Sequence, residues 1–126
     1  MIERTMSPGS FWDAPFSHAV RAGDFLFVTG QMPVDPATGV YVESNTAAQT
    51  ERVMENLKIV LEHAGMSFAD VVQARAFLTQ FEDYDKFNEV YIRYVKNALP
   101  ARTTVGVTAL AGGALVEVDL VAYKKN

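Results

Sequence analysis

The chain has 126 residues and 49% hydrophobic content, enough for one domain, residues 1–126, with a real core and no staples. It contains no cysteine, which excludes disulfides, thiolate catalysis and cysteine-ligated metals. Its net charge of −4, with no basic cluster beyond Lys124-Lys125, argues against nucleic acid as a partner, because phosphate binding needs a positive footprint.

The N-terminal stretch "MIERTMSPGSFW" places Glu3, Arg4 and Pro8 where a signal peptide needs an uninterrupted apolar core. No apolar run reaches membrane-spanning length, so the expectation is a soluble cytoplasmic protein without membrane association. Phe11 and Trp12 read as a loop anchor. "FLFVTG" (25–30), bounded by Gly23-Asp24 and Gly30, reads as a strand, and "VDPATGVYV" (34–42) carries the turn chemistry of a surface loop or hairpin connection.

From a cap at Asn45 or Thr46 to Ala64, Val53, Leu57, Val60 and Leu61 recur at helical spacing, and Gly65 stands where a helix ends. His63, near that end, suits the negative pole of the helix. "DVVQARAFLT" (70–79) is a second strand. The acidic "FEDYD" is a solvated helix start, after which Phe87, Val90, Tyr91, Tyr94 and Val95 predict a helix running to Leu99-Pro100. Strands at about 102–109 and 114–123, joined by Ala111-Gly112-Gly113, close the chain.

The resulting order, β-β-α-β-α-β-β with room for a further N-terminal strand, implies an α+β fold: a mixed sheet with two helices on one face. Val116, Val118, Leu120 and Ala122 alternate with Leu115, Glu117, Asp119 and Val121, so the first row should meet the helices. In the preceding strand Arg102, Thr104, Gly106 and Thr108 form the polar row. If the two polar rows share a face, Arg102 and Glu117 look out from the same side, beside each other across the Gly-Gly turn. Leu115 and Val121 among these charges favour a homo-oligomer that buries this face, with Arg102 and Glu117 at the joint; Asp119, on the same face as Glu117, is a candidate for bridging subunits.

"FVTGQMPVDPATG" (27–39), "QTERVMENLKIVLEHAGMSFADVV" (49–72), "FNEVY" (87–91), "PARTTVGVTAL" (100–110) and "ALVEVDLVAY" (114–123) together resemble the RidA/YjgF family of imine and enamine deaminases. The resemblance implies a chorismate-mutase-like fold, a homotrimer with ligand clefts between subunits, and hydrolysis of 2-imino or 2-enamino acids such as 2-aminoacrylate to 2-keto acids and ammonia. It also implies no metal and no cofactor, since an iminium carbon is already electrophilic.

Residue by residue, the resemblance makes Arg102 the grip on the substrate carboxylate and Glu117 the group that orients and activates water. Thr29 and Gly30 stand where the family has Ser-Gly. Asn88 matches an asparagine near the cleft, and Thr104 occupies a position that is cysteine in several deaminases. "APFSHAV" (14–20) departs from the family's Pro-Tyr-Ser-Gln: Phe16 lacks a phenolic hydroxyl and His18 replaces glutamine, which leaves a more apolar wall. Three alternatives follow: a deaminase of a ring-opened aromatic amino acid such as 2-aminomuconate, a non-catalytic binder of small carboxylates, and a ribonuclease or translation inhibitor. The acidic balance counts against the last.

Overall fold

In the computed structural model, which describes residues 1–6 and 14–126, six strands form one mixed sheet. They are β1 (Ile2–Thr5), β2 (Ala19–Ala22), β3 (Phe25–Gln31), β4 (Val71–Leu78), β5 (Ala101–Gly106) and β6 (Val116–Tyr123), with helices α1 (Thr46–His63) and α2 (Tyr84–Val95). Phe11 and Trp12 lie outside the described residues.

The first helix begins and ends as its sequence dictates. The Asn45 side chain accepts from the Ala48 amide at 3.0 Å, satisfying one of the donors a helix start leaves unpaired. At the other end Gly65, with φ of 74°, allows two closing bonds, Met66 N to Leu61 O and Gly65 N to Glu62 O. Met66 is thereby folded under the helix, and both it and Leu61 are buried. α2 stops at Val95, four residues short of the expected Leu99; Leu99 itself, which precedes Pro100, is steered away from helical backbone.

Both helices lie on one face. Val53, Leu57 and Leu61 of α1 and Phe87 of α2 are fully buried against Leu26, Ala74, Ala76, Leu78, Val116, Val118 and Ala122. The period-two reading of β6 is therefore correct, its apolar row forming the floor of the core. Two buried amides fasten the connection from β3 to α1. Asn56 Nδ2 donates to Met32 O and Val34 O, and Gln49 donates to Val42 O and Glu43 O while accepting from Leu115 N.

The strand order is β1-β2-β3-β6-β4-β5. β4 lies between β5 and β6, antiparallel to β6 and parallel to β5, so the last two strands are not a hairpin about the Gly-Gly turn. Register then decides faces. Arg102 pairs with Ala74 and Thr104 with Ala76, and both alanines are buried beneath the helices. Glu117 pairs with Phe77, on the opposite face. The expectation that Arg102 and Glu117 look out from one side is overturned.

The uncovered face carries Phe25, Phe27, Tyr123 and Val105, each 40–48% exposed, with Phe25 packed edge-on to Tyr123. Charge on it is internally balanced at one point: Asp119 accepts from Arg75 Nη2 at 2.6 Å and from its Nε at 3.0 and 3.1 Å. Asp119 thus has a partner within its own chain.

Truncating Leu57, wholly buried at the centre of α1, should lower the unfolding free energy by about 2–5 kcal/mol. Lys58→Ala, on the exposed side, should change it by less than about 0.5 kcal/mol. Urea denaturation of the two variants beside wild type measures both.

Candidate active site

The residues singled out by sequence fall into two groups on opposite faces. The first gathers at the end of β3 and the start of β6. Glu117 is half-buried, and the absence of a side chain at Gly30 is what lets its carboxyl lie there: a Cβ on Gly30 would sit 2.9 Å from the carboxyl carbon. Thr29 Oγ1 donates to Ser17 O at 2.6 Å and Thr29 N to His18 O at 2.9 Å, which draws the 16–18 segment alongside. Phe16 is half-exposed at that point. His18 is buried, and burial pushes its imidazole below the usual histidine range, favouring the neutral ring.

Burial raises the Glu117 carboxyl above the usual glutamate range; the negative Asp119 adds to this and Arg75 opposes it. Tyr41 belongs to the same neighbourhood. Its hydroxyl donates to Ala111 O at 2.9 Å, and burial, with the Glu117 charge behind it, raises its pKa. Sequence reading passed over Tyr41, because it lies in a turn-rich loop and nothing local links it to position 117.

The second group lies at the edge strand, under α2. The Arg102 guanidinium carbon is 4.7 Å from the ring centre of Tyr91, 5.4 Å from that of Phe87 and 5.7 Å from that of Tyr84. Its Nη2 donates to Tyr84 Oη at 3.1 Å. Among the described residues, no carboxylate forms a salt bridge with it. Among the described residues Thr104 Oγ1 and Tyr91 Oη are buried without a hydrogen-bond partner, so the Thr104 hydroxyl does not satisfy the backbone. Asn88 lies on α2 one turn beyond Tyr84, on the same side of the helix. Helical spacing marked Phe87 and Tyr91 as core residues, and they are; their second role, as a wall for a cation, is set by the parallel pairing of β5.

Arg102 and Glu117 are two strands apart, roughly 10 Å, and three residues apart along the strands, again roughly 10 Å, in addition to facing opposite ways. No single copy of the chain joins them in one cleft. Among the described residues no group of three or more His, Cys, Asp or Glu is placed to hold a metal ion, and no helix is long and apolar enough to cross a membrane.

A family model described as Endoribonuclease L-PSP matches residues 11–124. The chain belongs to this family, which takes in the RidA/YjgF proteins. A RutC family protein of Pyrococcus horikoshii is 43% identical over 111 residues, 88% of each chain. The human 2-iminobutanoate/2-iminopropanoate deaminase is 31% identical over 124 residues, 98% of this chain and 89% of the human one. The crystal structure of the YjgF gene product of E. coli superposes with a TM-score of 0.91 at 27% identity, covering 98% of this chain and all of the other. The family thus includes an imine deaminase, and the two-helix, six-strand architecture is that of its solved members.

The Glu117 carboxyl gives this RidA/YjgF-family chain a specific pH signature. Because its pKa is raised on folding, the folded chain holds that proton more readily than the unfolded one. The associated stability is complete below the ordinary glutamate value of about 4.3 and is lost as pH rises through the raised one. Glu117→Gln should therefore match wild type in melting temperature at acid pH and gain on it steadily towards neutrality. A gap independent of pH would contradict the shift.

Proposed function

We propose that the protein is a hydrolytic deaminase of 2-imino and 2-enamino acids, and that it works as a homotrimer in which Arg102 of one copy and Glu117 of the next line a shared cleft. The observation that carries this reading is the division of the candidate residues between opposite faces of the sheet. Each group is incomplete: among the described residues the Arg102 cation has no carboxylate partner, and Glu117 is a half-buried carboxylate laid over the bare backbone of Gly30. The apolar face next to Glu117 gives copies of the chain a reason to associate.

The chemistry follows from those two charges. Arg102 grips the substrate carboxylate through the free edge of its planar fork, which lysine lacks. Glu117, ionised, takes a proton from water as the oxygen attacks the C=N carbon, and the tetrahedral carbinolamine forms. The same carboxyl, now protonated, gives its proton to the nitrogen; as the C–N bond breaks the regenerated carboxylate takes the carbinolamine hydroxyl proton, so that ammonia leaves and the carbon becomes the carbonyl of a 2-keto acid. A carboxyl whose pKa is raised by burial suits both directions of transfer. The human relative is named for an activity of this type. Phe16, half-exposed beside Thr29 and Gly30, favours substrates with bulkier or less polar side chains, 2-aminomuconate among them.

The test is the decay of 2-aminoacrylate generated in situ. Wild type should accelerate it; Glu117→Gln should lose about 100-fold or more, and Arg102→Ala roughly 30-fold or more. Co-expression of the two inactive chains is the sharper arm. If Arg102 and Glu117 come from different copies, random mixing in a three-fold ring restores about a quarter of the sites. No recovery in isolated mixed oligomers would defeat the shared cleft. If wild type binds 2-oxobutanoate through Arg102 yet leaves imine decay unchanged, the protein is a carboxylate binder.

A further inference from the structure

The guanidinium of Arg102 is stabilised in an unusual way for a half-buried cation. Such a group ordinarily pairs with a carboxylate, which occupies the same N–H edge a ligand carboxylate would need. Here three ring faces do that work, at 4.7, 5.4 and 5.7 Å, and they occupy the guanidinium without using its N–H groups. Among the described residues one bond is spent, that from Nη2 to Tyr84 Oη at 3.1 Å. Tyr84 is itself held: Phe81 stacks on it with ring centres 5.3 Å apart and planes 28° apart, and Phe87 stacks on Tyr91 at 5.5 Å and 24°.

We propose that Tyr84 is a positioning residue, which fixes the rotation of the Arg102 fork and leaves its remaining N–H edge preset for a planar carboxylate. This rests on the reading of Arg102 as the carboxylate grip. Phenylalanine at position 84 would keep the ring wall and lose the bond that sets the fork's rotation. The ring wall alone accepts the cation in many orientations, because attraction to a ring face does not depend on the in-plane angle of the guanidinium. The hydroxyl supplies that angle.

Tyr84 is only partly buried, so Tyr84→Phe should fold normally. Two readouts separate the possibilities. In ligand-free protein, nitrogen NMR of the Arg102 side chain, assigned with Arg102→Lys, should show slow rotation about the Nε–Cζ bond in wild type and faster averaging in Tyr84→Phe. In titrations with 2-oxobutanoate, Tyr84→Phe should raise Kd about 3- to 10-fold, and KM should rise by a like factor with kcat held within about twofold. Equal rotation and equal Kd in wild type and Tyr84→Phe overturn the proposal. A variant that loosens the fork in a protein whose wild type ignores 2-oxobutanoate supports the positioning of Arg102 and overturns the carboxylate reading of the site.

Discussion

The parallel pairing of β5 with β4 is the constraint on which the rest depends. A parallel neighbour places residues of like register on the same face, so Ala74, Ala76 and Leu78, which floor the core, carry Arg102, Thr104 and Gly106 with them. An arginine at that position sits under α2, and the helix must offer something to a cation. It offers Tyr84, Phe87 and Tyr91, spaced three and four apart so that all three rings line one side. Had β5 paired with β6 in a hairpin, Arg102 could have stood beside Glu117, and the two charges would neutralise each other.

The two charges are instead kept apart, each in a setting that favours a missing partner. The cation of Arg102 is satisfied on its faces and open along its edge. The carboxyl of Glu117 is penalised by burial, and its nearest acidic neighbour, Asp119, is already claimed by Arg75. Two residues apart on one strand face, Asp119 and Glu117 differ because Arg75 lies opposite Asp119 across β4 and β6. Structural pairing is thus spent on Asp119, which leaves Glu117 for the water-activating role proposed for it.

Much of the fold was legible because its signals are local. Asn45, the 53-57-60-61 stripe and Gly65 dictate a helix whatever surrounds them, and the alternation in 116–122 dictates which residues of β6 are core. The site was legible only by residue type. Arg102 and Glu117 stood out as charges in apolar strands, but which faces they take is decided by their partners on β4, Ala74 and Phe77, 28 and 40 residues away in sequence, and no periodicity within 101–123 encodes it. The Gly-Gly pair suggested a hairpin since short turns ordinarily join neighbouring strands. The insertion of β4 is a tertiary choice, favoured by its Val71, Ala74, Ala76 and Leu78, which fit the most buried lane of the sheet.

The exposed phenyl groups connect stability to chemistry. Phe25, Phe27 and Tyr123 lie on the face that holds Glu117, and withdrawing such a ring from water is worth about 1.5–3 kcal/mol when burial is complete. In the proposed assembly the same association that covers these rings brings the Arg102 edge of a neighbour towards Glu117. A chain that stays alone gains neither. In that assembly the cost of burying Glu117 further would be offset by the neighbour's charge, so the proposed site joins two surfaces that are each unfavourable when exposed and complementary when joined.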